Sequence, residues 1–122
     1  MIIYLSLEDA LEQVAVLGFH VKDAGLLEAA LSRPKTSAFG QEVYEGLATK
    51  SAALMHSVIR NHPMIDGNKR TAWTLMVTFL YFNGFVHDMT TDEGFDFTLG
   101  VAEGRYELQE AAAIIERHLK AL

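Results

Sequence analysis

The chain has 122 residues and contains no cysteine, so it has neither a disulfide nor a thiolate metal site. The absence of cysteine fits a reducing compartment, and we expect a cytoplasmic protein. There are only two prolines, and no low-complexity tract or linker divides the sequence. Half of the residues are apolar, which is far too many for a disordered chain. We therefore expect a single folded domain over residues 1–122.

Positive charge is also scarce, since 10 lysines and arginines stand against 16 aspartates and glutamates. This balance argues against a protein that binds nucleic acid directly, because such proteins normally present a basic face. It is compatible with a basic protein partner, although acidity is also the commonest way to stay soluble. The longest near-apolar run, residues 72–82, is about half of the roughly 20 residues that a membrane span needs. We expect no membrane span and no signal peptide.

Apolar residues recur at helical spacing through most of the chain. Ser6 and Asp9 mark the start of a first helix, and Gly18 is a typical helix end. The mixed segment over residues 35–47 predicts a loop or a hairpin. Further helices are expected between Asp23 and Pro34 and over residues 49–61, 68–83, 93–102 and 108–122.

The predicted fold is all-α (mainly helical), a bundle of about six helices. The helix over residues 68–83 is apolar on almost every side, so we expect it to be the central buried helix. Two short segments, residues 2–5 and 85–89, are also compatible with short strands. Some N-terminal strand pairing therefore fits the pattern.

The segment from His62 to Arg70 brings an imidazole, a carboxylate, a glycine, an amide and two cations together. A helix that leaves such a loop points its free N–H groups and the positive end of its dipole at whatever the loop holds. Lys69 and Arg70 are unfavourable at that end unless an anion offsets them, which argues for a bound phosphate. Asp66 can hold a divalent cation against the phosphate, and His62 can take a proton from an attacking hydroxyl.

Each motif residue also has an ordinary structural interpretation. Asp66 can be the N-cap of the following helix, and one of its oxygens can cap while the other meets Mg²⁺. Gly67 suits either a positive φ or a close approach of backbone to phosphate, and Asn68 can bond across the loop or to phosphate. A basic pair is usually solvated. A lone histidine is usually structural, and we interpret four histidines in that way: His20, His56, His87 and His118.

The motif resembles the signature of the Fic superfamily, a His-Pro-Phe start followed by acid-Gly-Asn-Gly-Arg. It is more similar to the death-on-curing (Doc) branch, where lysine replaces the second glycine and Thr-Ala follows the arginine. Lys69 and the Arg70-Thr71-Ala72 run match that version, whereas Met64 stands where the family usually has phenylalanine. Three further segments resemble Doc sequences at similar spacing, residues 3–9, 26–34 and 102–104.

The resemblance implies a Fic/Doc-like fold and a role for each motif residue. The implied catalytic residues are His62 as general base and Asp66 as the Mg²⁺ ligand, and the implied phosphate-binding residues are Gly67, Asn68, Lys69 and Arg70. In AMP-transferring Fic enzymes a glycine stands where this chain has Lys69, and a second arginine stands where it has Trp73. Both differences favour the Doc reaction, in which ATP donates its γ-phosphoryl group.

By the same resemblance the protein is a toxin of a type II toxin–antitoxin system. It would be a Mg²⁺- and ATP-dependent kinase that phosphorylates a hydroxyl, expected on threonine, of translation elongation factor Tu and halts translation. The second implied partner is a cognate Phd-like antitoxin whose C-terminal segment folds on binding. In Fic folds the region that matches residues 35–47 is a flap that docks protein targets.

Two alternatives stay open. The first is a Fic-type AMP- or nucleotidyl-transferase that modifies a protein hydroxyl. The second is a non-enzymatic domain that binds a partner, in which the loop is only a helix cap.

Overall fold

A computed structural model describes all 122 residues, Met1–Leu122. The chain forms six α-helices, α1 (Leu7–Leu17), α2 (Ala24–Ser32), α3 (Leu47–Asn61), α4 (Asn68–Phe82), α5 (Thr91–Ala102) and α6 (Leu108–Arg117). One turn of 3-10 helix, Arg33–Lys35, follows α2. None of the helices has the length and hydropathy of a membrane span. The prediction of a mainly helical bundle is confirmed.

The strands are short and form two separate antiparallel pairs. The hairpin of β1 (Ser37–Ala38) and β2 (Gln41–Glu42) lies in the segment predicted as a loop or hairpin. The second pair joins β3 (Phe85–His87) to β4 (Leu119–Ala121). The prediction of a helix through residue 122 is therefore wrong at its end, because α6 stops at Arg117 and the chain then pairs with β3.

The expected N-terminal strand pairing is not formed. The Ile3 N–H donates to Asn83 Oδ1 at 2.7 Å, and Asn83 Nδ2 donates to the Ile3 carbonyl at 2.9 Å. One side chain therefore satisfies both backbone groups that a partner strand would otherwise satisfy.

Helix boundaries follow the local signals that the sequence contains. Ser6 and Asp9 form a reciprocal capping box at the start of α1, and Gly18 ends the helix with a φ of 79°. Asp23 accepts the Leu26 N–H at 3.0 Å at the start of α2. These caps are set by neighbouring residues, so they are visible before any tertiary contact is known.

The central helix of the bundle is α3. The prediction that α4 is the central helix is therefore wrong. Helix α3 packs against α2, α4, α5 and α6. Nine of its 15 residues are buried, compared with six of the 15 residues of α4. Small side chains such as Ala52 and Ala53 let neighbours approach α3 closely, whereas Tyr81 and Phe82 at the end of α4 are exposed. Apolar composition alone therefore did not identify the centre.

A buried cation holds the β1–β2 hairpin on the bundle. Lys50 is 1% exposed, and its Nζ donates to Glu42 Oε1 at 3.1 Å and to the Tyr44 carbonyl. Arg33 Nε donates to the Tyr44 hydroxyl at 2.8 Å, and its Nη1 donates to Ser57 Oγ at 2.9 Å. Two side chains of the bundle therefore fix the base of the hairpin, while the hairpin's tip is exposed.

We expect the two members of this ion pair to differ in their effect on stability. Glu42→Ala leaves a buried ammonium with one acceptor, so the free energy of unfolding should fall by about 1–3 kcal/mol. Lys50→Met removes the charge and keeps the apolar stem, and the Glu42 side chain, already 59% exposed, returns to water. Its loss should be smaller, because a neutral carbonyl is less costly to leave unpaired than an ammonium. Urea denaturation measures both, and a larger loss for Lys50→Met would contradict this argument.

Candidate active site

The loop that carries the motif connects α3 to α4 and is fixed at both ends. His62 ends α3 with a φ of 49°, and Gly67 is the N-cap of α4 with a φ of 80°. Met64 is 1% exposed and forms an isolated bridge with Val21. The Pro63 carbonyl accepts two N–H groups from the connection between α1 and α2. The buried Met64 side chain therefore anchors the loop to the core.

Asn68 connects the two sides of this loop. Its Oδ1 accepts the Met64 N–H at 3.0 Å and its Nδ2 donates to the Met64 carbonyl at 3.2 Å. The same Nδ2 lies 3.3 Å from His62 Nδ1. Asn68 Nδ2 can donate to Nδ1 only when the imidazole is in the tautomer that carries its proton on Nε2. Of the two roles that the sequence left open for Asn68, the structure shows the bond across the loop.

A glycine is required at position 67 by the backbone conformation and by a neighbouring side chain. Besides its positive φ, a Cβ at this position would lie 2.4 Å from the ring of Phe19. Phe19, which lies directly after the C-terminal glycine of α1, was not among the predicted site residues. A signal was present, because an apolar residue after such a glycine often packs back onto the fold.

Asp66 precedes the N-cap by one residue, so the interpretation of Asp66 as the cap of α4 is wrong. Its Oδ1 accepts the Gly67 N–H at 2.8 Å, and its second oxygen forms no hydrogen bond within the chain. No side chain caps α4. The N–H groups of Asn68, Lys69 and Arg70 have no acceptor within the chain, so this helix start is open to an anion.

All six predicted site residues line one cleft of about 820 Å³. They are His62, Asp66, Gly67, Asn68, Lys69 and Arg70. Lys69 and Arg70 are exposed, and neither forms an ion pair with a carboxylate of the chain. Two uncompensated cations, an open helix start, an imidazole and a carboxylate thus share a cavity of ligand size. That arrangement suits a phosphorylated ligand and a proton transfer beside it.

The remainder of the cleft lining contains no lysine, arginine, aspartate or glutamate, and it was not predicted. Trp73 lies one turn beyond Arg70, and its indole contacts the His87 ring edge-on with 4.9 Å between ring centroids. A Cβ at Gly94 of α5 would lie 2.9 Å from this indole, so the glycine makes room for it. Phe95 follows on α5 and is 72% exposed. Only the tertiary fold brings α5 to this place, although a glycine inside a helical stretch is itself a signal of close packing.

The half-buried His87 side chain makes the free energy of unfolding depend on pH. Burial lowers the pKa of the His87 imidazole, Asp88 partly opposes this shift, and His118 lowers the pKa again. The pKa of the folded state then lies below that of the unfolded chain, which takes up the proton first. The free energy of unfolding should therefore fall as the pH drops below about 6.5.

Urea denaturation at about pH 7 and about pH 5.5 measures this effect, and His87→Gln should show a smaller difference than the wild type. Part of the difference in unfolding free energy between the two pH values will remain in the variant, because burial, Arg60 and Arg33 also lower the pKa of His56. An unchanged difference in His87→Gln would show that His87 does not cause the effect.

The molecule is thus a mainly helical domain whose cleft combines an open helix start, two unpaired cations and a histidine. The sequence profile of the Fic/DOC family matches residues 4–80, and the chain belongs to this family. It is 42% identical over 115 residues to Toxin Doc of Mycolicibacterium smegmatis, covering 90% of this chain and 88% of that protein. It is 31% identical over 97 residues to Protein kinase doc of Escherichia phage P1, covering 80% and 75%. The family predicted from the motif is confirmed.

Proposed function

We propose that this protein is the toxin of a toxin–antitoxin pair and acts as a protein kinase. The proposed reaction transfers the γ-phosphoryl group of ATP to a threonine hydroxyl of translation elongation factor Tu. The observation that carries the proposal is the meeting of the open start of α4, two unpaired cations, His62 and Asp66 in one cleft. The names of the two relatives, a Doc toxin and a Doc protein kinase, support the same class of function.

Phosphoryl transfer asks a protein mainly to position its reactants and to neutralise charge. The N–H groups of Lys69 and Arg70 and the two side chains bind phosphate oxygens and offset their charge. The target hydroxyl loses its proton to His62, and its oxygen bonds to the γ-phosphorus. The bond between that phosphorus and the bridging oxygen breaks, and ADP leaves with the electron pair.

The hydrogen bonding of His62 fits the task of a base. In the tautomer that accepts from Asn68, Nδ1 carries no proton, and its contact with Asn68 Nδ2 is long, at 3.3 Å. That weak contact can be exchanged for a hydrogen bond from a target hydroxyl. Asn68 meanwhile stays bound to Met64 and keeps the loop in place.

Asp66 fits a Mg²⁺ ion that arrives with the nucleotide. One of its oxygens is held by the Gly67 N–H and the other is free beside the open start of α4. Mg²⁺ is commonly bound by one or two carboxylates together with substrate phosphates and water, so a single carboxylate suffices here. When bound, Mg²⁺ neutralises charge on the phosphates.

The proposed partners follow from the family. Elongation factor Tu would present its threonine at the His62 end of the cleft, where the imidazole can accept the hydroxyl proton. A Phd-like antitoxin would inhibit the protein by folding its C-terminal segment on the surface. Such coupled folding and binding suits an inhibitor that must be released.

The decisive experiment incubates purified protein with Mg²⁺, ATP and elongation factor Tu and records the intact mass of the factor. A gain of about 80 Da is expected for phosphoryl transfer, and the product should be absent with Asp66→Ala. Asp96→Ala is the matched control, because this carboxylate lies outside the cleft and pairs with Arg105 at 3.4 Å. A gain of about 329 Da would show AMP transfer instead, and the argument from Lys69 would be wrong.

A further inference from the structure

We propose that the part of the cleft between α4 and α5 is a nucleoside-binding subsite, in which Trp73 and Phe95 hold the base of the nucleotide. The inference rests on the proposed function, since it assumes a nucleotide in the cleft. It adds a base-binding role for two residues outside the motif and a direction for the bound nucleotide.

The lining of the cleft has two chemically different parts. The part from the loop and the first turn of α4 contains Lys69 and Arg70, which suit phosphates. The part from Trp73 onward contains no lysine, arginine, aspartate or glutamate, and its large apolar side chains lie among polar uncharged ones: Trp73, Met89, Phe95 and Leu99 among His87, Thr90, Thr91 and Thr98. A cleft of about 820 Å³ lies in the range that whole drug-sized ligands occupy. A nucleotide has the same division, with charged phosphates at one end and a flat apolar base at the other.

Trp73 lies beside the two cations on α4. It follows Lys69 by four residues and Arg70 by three, so the three side chains share one helix face. One helical turn separates them, about 5 Å along the axis. A ligand whose phosphates contact both cations therefore has its next groups beside the indole. Contacts with His87 and Gly94 fix that indole in place.

Helix α5 contributes a second aromatic side chain and a free hydroxyl to the cleft. Phe95 lines the cleft and is 72% exposed, so its ring is available to a ligand. Thr91 at the start of α5 also lines the cleft, and its hydroxyl forms no hydrogen bond within the chain. An aromatic surface suits a base because every base has a π-face, and a free hydroxyl suits a ribose.

The subsite sets the direction of the nucleotide. With the base at Trp73 and the inner phosphates at Lys69 and Arg70, the terminal phosphoryl group reaches Asp66 and His62. The reacting hydroxyl then meets the γ-phosphorus, which is the direction that phosphoryl transfer requires.

The test uses the fact that Trp73 is the only tryptophan in the chain, so its fluorescence reports on one position. We expect ATP with Mg²⁺ to change this emission, whereas inorganic tripolyphosphate should bind without changing it. By calorimetry, Trp73→Leu should weaken ATP binding by about tenfold and leave the affinity for tripolyphosphate unchanged. Phe82→Leu, an aromatic substitution at the far end of α4, is the matched control and should change neither affinity.

Phe95→Ala provides a second variant, because an exposed side chain can be removed without unfolding the protein. This variant retains the tryptophan. Its affinity for ATP should be about 5- to 10-fold lower than that of the wild type, and its affinity for tripolyphosphate should be unchanged. Equal binding of ATP and tripolyphosphate by the wild type would overturn the subsite and leave the kinase proposal standing. Equal weakening of both ligands by Trp73→Leu would reduce Trp73 to a structural role. If neither ligand binds, the phosphate site and the kinase proposal fail together with the subsite.

Discussion

Replacing His62 with alanine is expected to lower the rate of phosphoryl transfer by about 10²- to 10⁴-fold, the usual contribution of a positioned general base. The side chain is exposed at the end of α3 and contributes only the 3.3 Å contact with Asn68 to the loop. Its loss should therefore leave the fold and the binding of ATP nearly unchanged. In cells, expression of the variant should no longer arrest growth.

Single-turnover transfer to elongation factor Tu measures the rate, and calorimetry with ATP shows whether binding survives. His118→Gln is the control histidine, because its ring pairs with Asp88 at 2.6 Å outside the cleft. A His62→Ala rate within about tenfold of the wild type would mean that another group takes the proton. Equal loss of ATP binding and of transfer would make His62 a binding residue and not a base.

The sequence revealed those features that depend on neighbouring residues. In the N-terminal caps of α1 and α2 the two bonded residues are three positions apart, and the candidate site occupies one loop and one helix turn. Because the site residues are adjacent in the chain, their meeting in one cleft required little knowledge of the fold. Even here one local interpretation failed, since the sequence allows Asp66 as the N-cap and only the backbone shows that Gly67 takes that position.

Features that depend on distant contacts were not visible in the sequence. Strand β4 pairs with β3, which lies more than 30 residues away in the chain. Because residues 108–122 have a helical apolar pattern throughout, the sequence did not indicate that the helix ends before this strand. The apolar wall of the cleft joins Trp73 of α4 to Gly94 of α5, and no local rule brings these helices together. The same limit explains the choice of α4 as the central helix. Hydropathy reports how apolar a helix is, but burial depends on how many neighbours surround it.

Gly67→Ala is the second substitution for which we expect a large effect. The new Cβ would lie 2.4 Å from the Phe19 ring on a residue with a φ of 80°. Left-handed strain and overpacking together should lower the free energy of unfolding by about 2–5 kcal/mol. Any shift that relieves the clash also moves the open start of α4. A displacement of about 1 Å is enough to lower transfer by about 10²-fold in the molecules that stay folded.

Gly104→Ala separates the two causes, because Gly104 has a φ of 75° but no atom within 4 Å of the added Cβ. It should show the backbone strain alone, about 1–2 kcal/mol. Shortening Phe19 to alanine in the Gly67→Ala background removes the clash, so the double variant should lose less stability than the two single losses combined. Urea denaturation of the four variants tests this. Suppose that Gly67→Ala and Gly104→Ala lower the free energy of unfolding equally and that the losses in the double variant are additive. The contact between Phe19 and Gly67 then does not hold the loop between α3 and α4 in place.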